Sequence, residues 1–244
     1  PADRSKERLR EVITRTAKRG GRVIIPAFSV GRTQEIVYAL DQLWNEGYLR
    51  DVPVYVDSPL AVNATGVFQS HPECFDAELH EYLLTDDDPW GWDRLTYIRK
   101  VEKSKALNGN RKPMVIISAS GMCEAGRILH HLRNNISDPK NTVMMVGYCA
   151  EHTLGKRIIE KRPQVRIFGK THTLRADVEV MNSFSAHADE PGILDFVGKM
   201  DPDRLQRIFL VHGAPARQDL MAGAFKRAGY DQVVVPEFGE SADL

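Results

Sequence analysis

The sequence has 244 residues, 42% of them hydrophobic, and its 33 Lys and Arg residues balance its 33 Asp and Glu residues. This size allows one large or two smaller globular units, and the charge balance excludes a whole-protein field that would attract nucleic acid or anionic membranes, so a polyanion site must be a local patch. No apolar run approaches the roughly 20 residues of a membrane span, and no signal peptide is evident. Three widely spaced cysteines without a CxxC motif favour reduced thiols and a cytoplasmic protein.

The first predicted element is a helix that begins close to Pro1, since Leu9, Val12 and Ile13 fall on one helical face. Because the chain opens with proline rather than methionine, we interpret it as part of a longer protein. Short apolar runs then alternate with helical patterns, in the order RVIIPAF, VPVYVDS, PMVIIS, TVMMVGY and QVRIF. Such non-alternating strands are typical of parallel strands covered by helices on both faces. The sequence therefore predicts an α/β fold with a mainly parallel sheet.

The acidic loop TDDDPWGWD follows the second of these strands and carries Trp90 and Trp92. The favoured interpretation is local packing at the start of a helix, whose dipole the aspartates complement. A stacking platform for nucleic-acid bases is the alternative.

Three strand-to-helix corners resemble one another: PAFSVGRTQE, ISASGMCEAGR and GYCAEHTLGKR. Free backbone N–H groups and the positive end of a helix dipole make such corners anion sites. Every α/β protein has such corners, and Ser and Thr are ordinary helix caps, so a purely structural role is the alternative for each of them. The chain contains neither a GxxxxGK[ST] nor a GxGxxG motif, so the predicted ligand is a phosphodiester or a sugar phosphate.

Two histidines stand out later in the chain. His187, in SFSAHAD, precedes a helix that Asp189 can cap and Pro191 can begin, and neither role explains an imidazole. His212 ends the run IFLVHG at the edge where open α/β sheets bind ligands, although a lone histidine there is often structural. Imidazole suits both zinc binding and proton transfer. Because no HxHxDH, HExxH or Cys/His cluster occurs, the residues alone show no complete metal site.

Five motifs, PAFSVGRTQE, ISASGMCEAGRILHHL, VGYCAEHTLGKRI, SFSAHAD and FLVHG, together resemble the β-CASP branch of the metallo-β-lactamase-fold ribonucleases. That group includes bacterial and archaeal cleavage factors, the nuclease subunit of the eukaryotic pre-mRNA cleavage machinery, and RNase J. The resemblance covers nearly the whole chain. It implies a β-CASP domain at residues 1–175, inserted into a metallo-β-lactamase domain whose C-terminal segment is residues 176–244.

The resemblance also implies roles for individual residues. His187 corresponds to the general acid for the leaving oxygen, and His212 corresponds to a zinc ligand. The residues implied to hold flanking RNA phosphates are Arg32, Ser118, Ser120, Gly121, Arg127 and Ser185. The reaction implied for the family is hydrolysis of RNA phosphodiester bonds with a pair of zinc ions.

The other zinc ligands of that family, including the HxHxDH motif, would lie before Pro1. We therefore expect an incomplete zinc site and inefficient cleavage by this chain alone. The expected partners are single-stranded RNA and the missing N-terminal metallo-β-lactamase half, with a homodimer left open and no membrane. One alternative is a non-catalytic RNA-binding or scaffolding relative. The other, an unrelated α/β enzyme acting on a sugar phosphate, is disfavoured by the order of the five motifs.

Overall fold

A computed structural model describes residues 2–181, 188–201, 204–211 and 213–241 of the chain. The strands in these ranges are β1 (Arg22–Pro26), β2 (Val54–Val56), β3 (Leu95–Tyr97), β4 (Met114–Ser118), β5 (Thr142–Met145), β6 (Gln164–Ile167), β7 (Lys170–Thr173), β8 (Asp177–Val180), β9 (Ile208–Phe209) and β10 (Val233–Val234). The helices are α1 (Ala2–Lys18), α2 (Arg32–Asn45), α3 (Pro59–Gln69), α4 (Ala77–Tyr82), α5 (Val101–Gly109), α6 (Ile128–Asn135), α7 (Leu154–Ile159), α8 (Glu190–Gly198) and α9 (Pro215–Arg227). Within the described ranges, no helix is both long and apolar enough to cross a membrane.

The chain divides into two compact units, Pro1–Ser185 and Ala186–Leu244. The first unit is built on a six-stranded sheet in the order β3-β2-β4-β1-β5-β8, and its neighbouring strands pair in parallel. This sheet confirms the predicted α/β fold with mainly parallel strands. The domain boundary near residue 175 stays a prediction; β8, which follows it, is an edge strand of this sheet.

Successive residues of β1 pack into two different cores, because the side chains of a strand alternate between the faces of the sheet. Ile25 packs in a cluster with Leu40 of α2, whereas Ile24 packs with Ile128 and Leu132 of α6. Full burial of such a side chain contributes roughly 1.5–3 kcal/mol. Helices thus cover both faces, which explains why the strand lacks polar alternation.

The tryptophans of the acidic loop pack within the protein. Trp90 is 4% exposed and lies near the rings of Phe68 and Phe75. Its indole N–H donates to the carbonyl of Gln34 at 3.2 Å. Trp92 is partly buried and stacks on Trp44 of α2, with ring centroids 6.5 Å apart. Packing within the protein is therefore confirmed for Trp90, but the predicted start of a helix is wrong, because the acidic loop leads into β3 and α5 begins only at Val101.

The second unit contains α8, α9 and the short parallel pair of β9 and β10. Asp189 caps α8 by accepting a hydrogen bond from the N–H of Gly192 at 3.0 Å, and Pro191 lies in the first turn. These two sequence-predicted capping roles are confirmed. Phe225 of α9 is buried at 1% exposure.

A buried carboxyl group connects α2 to the last residue of α4. Asp41 is fully buried, and one of its oxygens accepts a hydrogen bond from the hydroxyl of Tyr82 at 2.7 Å. Its other oxygen, Oδ1, has no hydrogen-bond partner. Burial raises the pKa of Asp41 to about 7. The carboxyl group therefore holds its proton in the folded protein at a pH where the unfolded chain has released it.

This difference predicts a pH-dependent stability. In the unfolded chain the pKa of Asp41 should be about 3.9, so between that pH and about 7 only the folded state carries the proton. The free energy of unfolding should therefore fall as pH rises, by up to about 1.4 kcal/mol per pH unit, and level off above the folded pKa. Asp41→Asn should remove this slope in urea unfolding at a series of pH values. The exposed Asp87 provides the control, since Asp87→Asn should keep the wild-type slope; a slope unchanged in Asp41→Asn would contradict the assignment.

Candidate functional site at the carboxyl edge of the main sheet

The loops that follow β1, β2, β4 and β5 meet at the carboxyl edge of the main sheet. The hydroxyl of Ser29, after β1, lies 3.0 Å from that of Ser58, after β2. The loop after β4 is joined to α7, because the N–H of Gly155 donates to the carbonyl of Met122 at 3.0 Å. Open α/β sheets bind ligands at this edge. The motifs PAFSVGRTQE and ISASGMCEAGR therefore lie on adjoining loops, as their positions after parallel strands predict.

A buried carboxylate stands at the centre of this edge. Asp57 directly follows β2 and is 0% exposed. It accepts hydrogen bonds from Ser104 Oγ at 2.5 Å, from His131 Nε2 at 2.6 Å and from Arg127 Nη1 at 2.6 Å. Burial alone would raise the pKa of Asp57, but these three hydrogen bonds outweigh it and hold the pKa below its ordinary value. We call these four residues the Asp57 cluster, and its carboxylate is ionised at neutral pH.

The Asp57 cluster has the geometry of a structural hydrogen-bond network and contains no activated nucleophile. In a hydrolytic triad the serine contacts the histidine and the histidine contacts the carboxylate. Here Ser104 and His131 both contact Asp57, and both side chains are buried. The cluster joins β2, α5 and α6, so it fixes the positions of the loops at the carboxyl edge.

Of the predicted phosphate-binding residues, Arg127 belongs to this cluster and Ser118 contacts it. The hydroxyl of Ser118 is buried and donates to the backbone carbonyl of Asp57 at 2.8 Å. Arg127 spans Asp57 and the backbone carbonyl of Arg99, at 2.6 Å in each case. The structure thus gives both side chains partners within the protein. Their contact with phosphate stays a prediction.

The loop after β4 places the next two predicted residues against the loop after β1. The hydroxyl of Ser120 accepts hydrogen bonds from the N–H groups of Glu124 and Ala125, both at 3.2 Å. Gly121 lies under the ring of Phe28, where an added Cβ would be 2.9 Å from a ring carbon. A side chain at position 121 would therefore force the ring of Phe28 to shift or these two loops to separate. The phosphate-binding roles of Ser120 and Gly121 stay predictions.

Arg32 begins α2 at the same edge and forms an ion pair with Glu35 one turn later. Large apolar side chains are exposed on the neighbouring loops: Phe28 is 48% exposed and Tyr148, after β5, is 64% exposed. Aromatic rings exposed beside polar groups suit stacking with unpaired bases. The sequence marks both rings only by their place just after a strand, and they were not among the predicted site residues.

Three predicted site residues, Ser185, His187 and His212, lie outside the described residues, so their roles stay predictions. Within residues 2–181, 188–201, 204–211 and 213–241, no group of three or more His, Cys, Asp and Glu side chains is arranged to hold a metal ion. The described residues alone therefore do not fit a zinc site.

Sequence reasoning missed Asp57, Ser104 and His131. The first of these carried a usable signal, since a carboxylate directly after the strand VYV should lie at the carboxyl edge beside Ser118. Ser104 belongs to no recognisable motif, and His131 lies in the motif ISASGMCEAGRILHHL, where nothing in the sequence marks it as a partner of a carboxylate; both residues are inside helices. Only the packing of α5 and α6 on the sheet brings them to Asp57.

The fold and its edge define an open, parallel α/β protein with polar and aromatic groups at the carboxyl ends of its strands. The family model of the Beta-Casp domain matches residues 33–158, and that of the Zn-dependent metallo-hydrolase RNA specificity domain matches residues 171–236. The chain belongs to the β-CASP family of metallo-β-lactamase-fold ribonucleases, which confirms the resemblance carried by the five motifs.

Individual proteins with names are also similar to this chain in sequence. A ribonuclease of Thermus thermophilus is 37% identical over 96% of this chain, which spans 52% of that protein. An RNase J-like protein of Methanocaldococcus jannaschii is 34% identical over 87% of this chain and 48% of its own length. The transcription termination factor FttA of Methanosarcina mazei is 31% identical over 91% of this chain and 36% of its own length. The chain thus spans about half the length, or less, of these relatives.

Proposed function

We propose that the chain is part of a zinc-dependent ribonuclease, of the endonuclease type, that hydrolyses RNA phosphodiester bonds in RNA processing or decay. The observation that carries the proposal is the meeting of motif-bearing loops at one edge of the sheet, where polar groups and exposed aromatic rings lie together. The match to an RNA specificity domain supports RNA as the substrate. We place the protein in the cytoplasm, which its three unpaired cysteines support.

Within this proposal the residues divide into two groups. Arg32, Ser120 and Gly121 lie on the corner loops and hold RNA phosphates, together with Ser185. The Asp57 cluster, with Ser118, keeps those corner loops in place. Phosphate contacts of this kind orient RNA without reading its sequence.

The proposal that the protein binds zinc rests on its family and on the predicted role of His212. Since the described residues do not form a metal site, we assign zinc binding to His212 together with donors from the region of the relatives that this chain does not span. The same region, the metallo-β-lactamase half, is the proposed protein partner. We therefore propose that the chain alone cleaves RNA inefficiently, with a homodimer as a further possibility.

The test uses a protein that joins this chain to the region of its relatives that it does not span. We expect this protein to cleave single-stranded RNA, to lose cleavage in a zinc chelator and to regain it when zinc is added back. Electrophoresis of end-labelled RNA measures the cleavage and separates internal cuts from terminal ones. Cleavage that continues unchanged in the chelator would contradict the metal-dependent part of the proposal.

A second candidate is a non-catalytic RNA-binding or scaffolding protein of the same family. It is favoured by the described residues of the carboxyl edge, which offer polar groups and exposed rings to RNA but no group of side chains arranged to hold a metal ion. The same assay distinguishes the candidates. RNA binding without cleavage, in protein shown to contain zinc, would favour the second one.

A further inference from the structure

The hairpin of β6 and β7 has an unusual residue at its tip. Ile167 pairs with Lys170, so the turn consists of Phe168 and Gly169 alone. Both turn residues have positive φ angles, 48° and 73°. Turns of this kind favour Asn-Gly, since asparagine and glycine tolerate the left-handed region better than other residues. A phenylalanine at this position is disfavoured by its backbone conformation, so local folding does not explain it.

The side chain of Phe168 is exposed on the surface. It is 49% exposed, although a phenylalanine ring gains free energy when it is buried. The ring of His130 lies 4.7 Å from its centroid at a tilt of 42°, and the guanidinium of Arg133 lies 5.7 Å from it. Both contacts come from α6. They hold the ring in place while about half of the side chain remains open to a ligand.

The surroundings of the ring are basic. Arg166 and Lys170 flank the turn, and the guanidinium of Arg166 donates to the carbonyl of Gly169 at 3.0 Å. The residues of α6, β6, β7 and the turn between the strands include no Asp or Glu. Burial, followed by the charges of Arg133 and other neighbours, lowers the pKa of His130. Its imidazole is therefore a neutral, flat ring at neutral pH. We call this surface the hairpin patch; it consists of His130, Arg133, Arg166, Phe168 and Lys170.

We infer that the hairpin patch is a base-stacking site for single-stranded RNA, made of residues other than those proposed above to hold RNA phosphates. An unpaired base stacks on the exposed part of Phe168, and the basic side chains beside it neutralise the flanking phosphates. Stacking on aromatic rings combined with nearby cations is how proteins hold single strands without sequence preference. The inference rests on the proposed function in taking RNA as the ligand.

RNA fits this surface better than a protein partner does. Exposed cations without intervening carboxylates match a polyanion, whereas protein interfaces are depleted of lysine and need a large apolar centre. A second exposed aromatic–arginine pair shows the contrast. Tyr48 is also 49% exposed and lies 4.5 Å from the guanidinium of Arg10, but the ion-paired carboxylate of Glu46 is close by in sequence. Tyr48 therefore provides a matched control.

The decisive variant is Phe168→Asn, because asparagine suits the positive φ angle of the turn while it removes the ring. Its melting temperature should equal or exceed that of the wild type. Its affinity for a short fluorescent oligoadenylate, measured by anisotropy in low salt, should fall roughly 5- to 100-fold, the range expected for losing one base–aromatic stack. Affinity for inorganic polyphosphate should not change, since that chain has no base.

Two further variants and one comparison complete the test. Tyr48→Ala should bind oligoadenylate like the wild type. Arg133→Gln should weaken binding of both oligoadenylate and polyphosphate and lower the salt dependence by about one counterion. An RNA duplex of the same length should bind the wild type and Phe168→Asn equally, since its bases are already stacked.

The failures are distinguishable. If the wild type binds oligoadenylate and Phe168→Asn binds it equally well, the hairpin patch is not a stacking site, while the proposed function stands. If the wild type binds no single-stranded RNA at any salt concentration, both proposals fail. A lower melting temperature with unchanged RNA affinity would identify Phe168 as a structural residue of the hairpin.

Discussion

Replacing Asp57 with alanine should lower the free energy of unfolding by about 3–5 kcal/mol, the cost of removing one partner of a buried ion pair. The physical reason is that Arg127, Ser104 and His131 direct their donors at this one carboxylate. Without it, a cation that is only 19% exposed and two buried donors lose their acceptor. Equilibrium unfolding in urea, followed by circular dichroism, measures the change.

A control variant and an intermediate variant distinguish the loss of the Asp57 cluster from the loss of an aspartate in general. Asp51 is exposed on the same unit, so Asp51→Ala should change stability by no more than about 0.5 kcal/mol. Asp57→Asn keeps the volume and one acceptor but loses the charge, so it should fall between the control and Asp57→Ala. A loss below about 1 kcal/mol in Asp57→Ala would show that the cluster does not hold the edge together.

The fold could be predicted because the residue pattern of a strand depends on whether each face of the strand is buried. Ile24 and Ile25 in β1 are both apolar, since each face of the sheet is covered by its own helices, and that absence of alternation is visible in the sequence. The corner motifs lie at one edge because parallel strands bring their carboxyl ends together. The strand pattern and the corner motifs each depend on a few residues that are adjacent in the sequence, so the sequence alone shows them.

The rest depends on packing that no local pattern encodes. Ser118 donates to the backbone carbonyl of Asp57 and Arg127 donates to its carboxylate, across 61 and 70 residues of the chain. The end of β6 shows a second case. The run QVRIF predicts a strand that includes Phe168, whereas β6 ends at Ile167 because the following glycine and the two positive φ angles form a tight turn.

His187 should have the largest effect on catalysis in a protein that joins this chain to the region of its relatives that it does not span. We expect His187→Ala to lower the rate of RNA cleavage by roughly 10²- to 10⁴-fold, the range for losing a general acid or base. The proposed reason is that the oxygen leaving phosphorus gains negative charge, which a protonated imidazole neutralises by giving its proton. His71→Ala, at an exposed histidine that contacts Glu73, should cleave at the wild-type rate.

Metal content and leaving group distinguish this role from a structural one. His187→Ala should keep the zinc content of the wild type by mass spectrometry, whereas His212→Ala should lose zinc together with activity. A p-nitrophenyl phosphodiester supplies a leaving group that departs without a proton, so His187→Ala should hydrolyse it at nearly the wild-type rate while remaining slow on RNA. If the rates on both substrates fall equally, or if His187→Ala releases zinc, His187 acts on the site as a whole and not on the leaving oxygen. Recovery of the rate only when protonation is unnecessary identifies the missing step as proton transfer, because a distorted site would be slow whatever group departs.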